Sequence, residues 1–453
     1  MSFDQVQTLI IGGGQAGLAM SHMLSRRGCP HRLVERGRIA ERWRSERWEG
    51  LCFQFPNWSV QLPDYPLAND DPDGFASGKT IADFVFGYAD FIAAPVRCGV
   101  EVTALRRGSR GFIAETAEGS IEAAHVVVAT GPYQTPVVPA WSTDEGSFFQ
   151  VHASRYLNPQ QLPPGAVLIV GAGASGTQIA EELVRGGRRV FLSVGHHRRM
   201  PRRYRGRDLI WWLHTLGLDQ TPRHKRGPDK ALALITGAYG GHTIDFRELA
   251  TLGVTLLGRV RGIRAGVAEI LPDVAQSLET GDAAFTAFLD LVDAHVAGTG
   301  LDHPEECEAR RRLPDPPCVV TPAQRLDLVA EGVNAVIWAT GYRCDFRWID
   351  MPIFDTGGQP LHRDGITKAP GLYFSRLALA LENELVLSCG RGRRRRATGR
   401  PYRRAPAVRP GLPRHRHRWP RSILTRDRFC GALMYVSHSW PRNCCSTASI
   451  GVG

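Results

Sequence analysis

The strongest constraint on the fold is a glycine pattern that occurs twice, each time between an apolar run and an amphipathic segment. In the first copy TLII runs into GGGQAG, which sets Gly12, Gly14 and Gly17 at the spacing GxGxxG. In the second, AVLIV runs into GAGASG and sets Gly171, Gly173 and Gly176 in the same way. The first glycine of such a pattern permits a tight turn, the second lets the backbone approach a pyrophosphate, and the third lets the helix pack closely on the strand. The phosphates then face a helix N-terminus, whose unpaired N–H groups and positive dipole end favour an anion. Each copy therefore predicts a dinucleotide-binding unit, with Gly12, Gly14, Gln15, Ala16 and Gly17 around one cofactor and Gly171, Gly173, Ser175 and Gly176 around another.

The copies differ at the end of the next strand. HRLVER brings Glu35, followed by Arg36, to the place where a carboxylate bonds ribose hydroxyls. RRVFLSV offers no acid there; Ser193 is followed within a few residues by His196, His197, Arg198 and Arg199. A missing acid with arginine nearby accommodates a 2′-phosphate, so NADPH is expected ahead of NADH, with Ser193, Arg198 and Arg199 as contacts. The alternative is a merely solvated basic loop. His196 and His197 lack Cys or carboxylate partners at ligand spacing, so no metal site is expected.

Two further pieces, AHVVVATGPY and NAVIWATGY, read as buried strands ending in tight turns. They mark crossings between domains. The fold class is α/β, with two doubly wound, Rossmann-like domains and the NADPH domain inserted into the first. The expected boundaries are 1–160 and 335–375 for the outer domain, 161–334 for the inserted one and 376–453 for a tail. Helical spacing of apolar residues predicts a helix within 270–300.

The net charge of +12 invites a nucleic-acid reading, but its location argues otherwise. Residues 391–453 carry about 16 arginines against one acid, Asp427, which leaves the preceding chain slightly acidic, at about −3. No nucleic-acid partner is expected for the body. The tail reads as a basic arm, as disorder, or as translation of a shifted frame, and Trp and Cys within an Arg/Pro tract favour the last. Ten cysteines are scattered without a CxxC pair, which argues for reduced thiols and against a dithiol-disulfide reductase. No run approaches the roughly 18 apolar residues of a membrane span, and TLII lacks the flanks of a signal peptide, so a cytoplasmic location with no membrane partner is expected.

Taken in order, these motifs resemble the flavin-containing monooxygenases, in particular the bacterial and plant branch that includes the YUCCA-type enzymes. The match spans about residues 5–374. It includes both glycine patterns, ERWRSERWEGLCFQFPNWSVQLPDYP, PVRCGVEVTAL, ATGPYQTPVVP and the second ATGY. The resemblance implies FAD at the first glycine loop and nicotinamide at the second. It further implies Trp43 beside the flavin, Val102 against the adenine end through its backbone, Ala129, Thr130 and Gly131 at the first crossing, and Thr340 and Gly341 at the return. Trp43 also reads as a plain core aromatic. The family's FxGxxxHxxxY survives only in His152 and Tyr156; Phe148 stands at its Gly position and Gly146 at its Phe position.

The implied activity is an NADPH-using monooxygenase that moves one oxygen atom from dioxygen, through a flavin hydroperoxide, into a small organic substrate. An NAD(P)H oxidase releasing peroxide is the alternative within enzymes, and a nucleotide- or nucleic-acid-binding protein the one outside them. No catalytic side chain is named, because the cofactor carries the hard chemistry. Substrate and oligomeric state stay open.

Overall fold

The computed structural model describes residues 4–142, 148–218 and 233–375. The tail 376–453 and Gly146 lie outside the described residues. In chain order the elements used below are β1 (Asp4–Ile11), α1 (Gln15–Arg26), β2 (His31–Glu35), α2 (Glu41–Ser45), β3 (Cys52–Pro56), β4 (Phe75–Ser77), α3 (Gly78–Phe91), β5 (Val96–Cys98), β6 (Val102–Gly108), β7 (Gly111–Thr116) and β8 (Gly119–Val128). They continue with β9 (Phe149–His152), β10 (Ala166–Val170), α4 (Ala174–Arg185), β11 (Val190–Ser193), α5 (Leu209–Thr215), α6 (Phe246–Thr251), β12 (Val254–Leu257), α7 (Val274–Thr299), β13 (Val333–Trp338) and β14 (Ile349–Asp350), and end with β15 (Leu372–Phe374).

Two parallel sheets carry the same arrangement. In the first, β15, β8, β1, β2 and β5 lie side by side, and in the second β9, β13, β10, β11 and β12 do. The strands that bear the glycine loops, β1 and β10, are central in both. Their sequences show why: the last four residues of β1 and all five of β10 are buried, as a parallel strand covered on both faces requires. Strand β8 serves two partners, pairing antiparallel with β7 through residues 119–123 and parallel with β15 through residues 126–128. The antiparallel extension continues from β7 to β6, against which β14 pairs in parallel.

The two sheets exchange chain, and this corrects both expected boundaries. Phe149–His152 precedes residue 161 yet pairs with β13, so the crossing into the second sheet lies between β8 and β9. The return falls after Trp338, because β13 is itself the neighbour of β10. The ATG triplets follow β8 and β13, the equivalent strands of the two sheets. The expected helix within 270–300 is α7, stopped at Gly300 by a left-handed backbone with φ 64° that glycine adopts freely. Separate apolar cores cover the faces of each sheet, and Trp43 packs against one core of the first and one of the second. Among the described residues no helix is long and apolar enough to cross a membrane.

Candidate functional site

At the end of β1 the chain turns at Gly12, whose φ of 116° excludes other L residues, and a Cβ there would stand 2.5 Å from the Ala129 carbonyl oxygen. The equivalent turn after β10 repeats this at Gly171, with φ 102° and a Cβ position 2.6 Å from the Ala339 carbonyl oxygen. Gly17 and Gly176 let α1 and α4 descend onto these turns. By contrast a Cβ on Gly14 or Gly173 would meet nothing within 4 Å. These two glycines cap α1 and α4 without any side-chain hydrogen bond, and neither helix has an acid in its first turn. Gln15, Ala16 and Ser175 belong to those first turns. The fit to two pyrophosphates is therefore direct: space, free backbone N–H groups and the positive ends of two helices converge.

Glu35 ends β2 beside the first cradle. Its carboxylate accepts from the Gly13 N–H at 2.6 Å and the Gly37 N–H at 2.9 Å, which fixes it while leaving lone pairs for ribose hydroxyls. The Glu35 carbonyl accepts from Val100, which brings Val102 to this rim of the sheet. Arg36 is pointed at the exposed Glu101 at 3.9 Å. Ala129 continues the ladder by donating to Ile11, Thr130 accepts from the Gln134 amide at 2.9 Å, and Gly131 turns with φ 71°.

In the second unit the register moves the specificity position. Ile11 pairs with Val34 and Val170 with Ser193, so Ser193 matches Val34 and the counterpart of Glu35 is the buried Val194. Ser193 is thus one residue short of the expected place. Its buried hydroxyl donates to Gly258 and accepts from Val260, which consumes it in the core. Arg199 also departs from expectation: its guanidinium is committed to Asp245 at 2.6 Å and Asp282 at 3.0 Å. Arg198 is half-buried at the edge of the same loop, His196 is exposed, and His197 is buried with its ring edge-on to Phe246. Among the described residues no three His, Cys, Asp or Glu side chains converge as a metal site would need, and six cysteines are free thiols.

The return crossing ties the sheets together. Thr340 donates to the Val137 carbonyl, and the Gly341 carbonyl accepts from Val137 and from His152 Nε2 at 3.0 Å. Because the Ser154 N–H donates to His152 Nδ1, the ring proton sits on Nε2, and burial holds this histidine below its ordinary range. Tyr156 donates to Glu182 on α4 at 2.7 Å. The surviving half of the family motif therefore braces the crossing against the second glycine helix, while Phe148 packs on a core of the second sheet.

Trp43, on α2, packs against cores of both sheets, edge-on to Phe53 at 5.5 Å and with the Arg47 guanidinium 5.3 Å from its ring centroid. Sequence reading did not single out Arg47, Tyr133 or Tyr342. The signal was the aromatic residue one or two positions after each ATG. It also missed the bond between the two halves. Arg202, 1% exposed, donates to the Gln54 carbonyl on β3 at 2.8 Å, and the Gln54 amide donates to Ile235 at 3.2 Å. A Cβ on Gly237 would stand 1.9 Å from the Phe53 carbonyl oxygen, and one on Gly241 2.2 Å from the Phe75 ring, so residues 235–241 lie directly on β3 and β4.

Comparison with known proteins agrees with this geometry. A family model described as pyridine nucleotide-disulphide oxidoreductase matches residues 9–213. An uncharacterized CzcO-like oxidoreductase of Geobacillus kaustophilus is 33% identical over 373 residues, 82% of this chain and 90% of that one. A probable indole-3-pyruvate monooxygenase, YUCCA1 of Arabidopsis thaliana, is 32% identical over 185 residues, 39% of this chain and 44% of its own. In fold, the chain is similar to a flavin-containing monooxygenase from Stenotrophomonas maltophilia, with a TM-score of 0.55, 16% identity, and coverage of 86% of this chain and 98% of that one.

Proposed function

The chain belongs to the flavin-containing monooxygenase family, a group of flavin-dependent oxidoreductases, and from that premise we propose that it uses FAD and NADPH to insert one atom of dioxygen into a small organic substrate. The observation that carries the reading is the duplicated cradle: Gly12, Gly14 and Gly17 on Ala129, and Gly171, Gly173 and Gly176 on Ala339, joined through crossings that meet beside Trp43.

In this reading FAD lies along α1, its ribose on Glu35 and its adenine end against the backbone near Val102. The nicotinamide dinucleotide lies along α4. Bound flavin would supply acceptance of two electrons from the nicotinamide and activation of oxygen; the residues supply placement. The helix N-termini neutralise the pyrophosphates, and Trp43, Phe53, Tyr133 and Tyr342 exclude water where the two cofactors would meet. NADPH is preferred because Val194 presents no carboxylate to repel a 2′-phosphate and Arg198 places a positive charge a few residues further along. Ser193 and Arg199 take no part.

The test is a visible spectrum of the purified chain, followed by aerobic reduction with NADPH and, separately, NADH. A yellow protein reduced faster by NADPH, with substrate-dependent oxygen uptake exceeding peroxide release, supports the proposal. Stoichiometric peroxide under every substrate tried would make it an oxidase. In the Arg198→Ala variant, KM for NADPH rises about tenfold with KM for NADH unchanged, as expected for loss of one phosphate contact.

A further inference from the structure

The two cradles correspond beyond their glycine loops, because in each sheet the strand outside β2 or β11 runs beside it in the same register. Val34 pairs with Arg97 on β5, and Ser193, the counterpart of Val34, pairs with Leu257 on β12. Counting on from those pairs matches Gly99 with Arg259, Val100 with Val260 and Glu101 with Arg261. Backbone bonds agree with the count. The Val100 N–H donates to the Glu35 carbonyl at 2.9 Å, and the Val260 N–H donates to the Ser193 hydroxyl at 3.2 Å, so both valines tie back to the end of the neighbouring strand.

At the matched corner the charges reverse. The first cradle presents two carboxylates, Glu35 and Glu101, with Arg36 facing the second of them. The other cradle has Val194 in place of Glu35, Gly195 in place of Arg36 and Arg261 in place of Glu101. Arg259 replaces Gly99, and its Cγ lies 3.5 Å from where a Cβ on Gly195 would stand, so its stem covers the backbone just past Val194. Asp273 fixes that stem by accepting from the Arg259 backbone N–H at 2.9 Å and from its Nε at 2.5 Å. The N–H groups of its two terminal nitrogens have no partner among the described residues. Arg261 is exposed and pairs with no carboxylate among the described residues.

A dinucleotide places its adenosine ribose at this corner, beside the residue that ends the second strand. We propose that Arg259 and Arg261 clasp the 2′-phosphate of NADPH, a proposal that rests on the reading that this cofactor lies along α4. The choice between the nicotinamide dinucleotides is then set by the loop after β12 as well as by the loop after β11, where the sequence pattern directs attention. Guanidinium groups make charge-assisted bonds to a phosphate that a ribose hydroxyl cannot match, and two of them converging from one short segment fix its position as well as its charge.

Calorimetric titration of the flavin-loaded protein with adenosine 2′,5′-bisphosphate and with adenosine 5′-monophosphate tests it, since the two differ only in the 2′-phosphate. The native chain binds the bisphosphate more tightly. Arg259→Met and Arg261→Met each weaken the bisphosphate about tenfold and leave the monophosphate unchanged, as loss of one charge-assisted contact requires. Arg261→Glu rebuilds the charge of the first cradle and raises KM for NADPH above KM for NADH. A native chain that binds both nucleotides equally, or neither, overturns the NADPH reading and this proposal with it. A native preference for the bisphosphate that survives in the double variant Arg259→Met, Arg261→Met overturns this proposal alone and leaves the phosphate to Arg198. Equal loss of both nucleotides in the variants also overturns it and makes the arginines supports of the loop. Melting temperatures of the same samples show that the variants remain folded.

Discussion

Arg202 grips Asp208 through two parallel bonds, at 3.0 and 2.5 Å, with both side chains buried. The same guanidinium reaches across to the Gln54 carbonyl, so one ion pair helps join the halves of the molecule. Arg202→Met leaves Asp208 as an uncompensated buried charge and is expected to cost about 3–5 kcal/mol. Arg202→Met combined with Asp208→Asn removes that charge and keeps the acceptor for the Ile210 N–H at the start of α5. Urea unfolding of the single and double variants decides the point, since the double variant recovers most of the loss if the charge is its origin.

A methyl group on Gly17 would stand 2.0 Å from the Gly12 carbonyl oxygen, a backbone atom with no room to yield. Gly17→Ala is expected to destabilise by about 3 kcal/mol, the upper end for overpacking. Gly14→Ala places its methyl in open space, so its melting temperature stays near that of the native chain while FAD affinity drops at least tenfold. Melting curves and flavin content together separate a fold effect from a cofactor effect.

Tyr156→Phe deletes the donor to a Glu182 carboxylate that packs under Gly50. The expected cost is about 1–3 kcal/mol, for an acceptor stripped of its partner. Denaturant midpoints read it; a change within error would mean that water reaches Glu182 and replaces the hydroxyl.

His242 supplies a pH dependence. Its ring lies 3.2 Å from the buried Glu181 carboxylate, and that hydrogen bond raises its pKa above the ordinary value of 6.5. The folded state thus holds the proton more tightly than the unfolded one. The resulting stability is fully present below pH 6.5 and is lost as pH rises through the native value. Urea midpoints of the native chain should fall across that window, and those of His242→Gln should not. Parallel profiles would remove the pair as the cause.

The parts of this molecule written in local pattern were legible. Gly12 and Gly171 announce their turns because only glycine holds the required φ, and TLII and AVLIV announce central parallel strands because every residue but Thr8 is apolar. Parts that depend on register and long-range pairing were not legible. Ser193 looked like the specificity residue because the last apolar run ends there, but pairing with Val170 shifts that role to Val194. Arg199 looked free because its carboxylate partners, Asp245 and Asp282, lie far along the sequence. Strand β9 was assigned to the outer domain by its position in the chain, whereas its partner β13 arrives nearly two hundred residues later. Arg202 falls in the same class: its role comes from a carbonyl contributed by a distant segment.

The placement of β15 beside Val126–Val128 imposes an order on biosynthesis. The inner sheet has all its strands once Trp338 has left the ribosome, whereas the outer sheet waits for Leu372–Phe374. In that interval the upper edge of β8 is a bare row of amide and carbonyl groups, a template for any extended chain nearby. A nascent chain stalled or cleaved before Phe374 therefore carries a finished inner unit and a sticky outer one, and is a natural client for chaperones or a seed for aggregation.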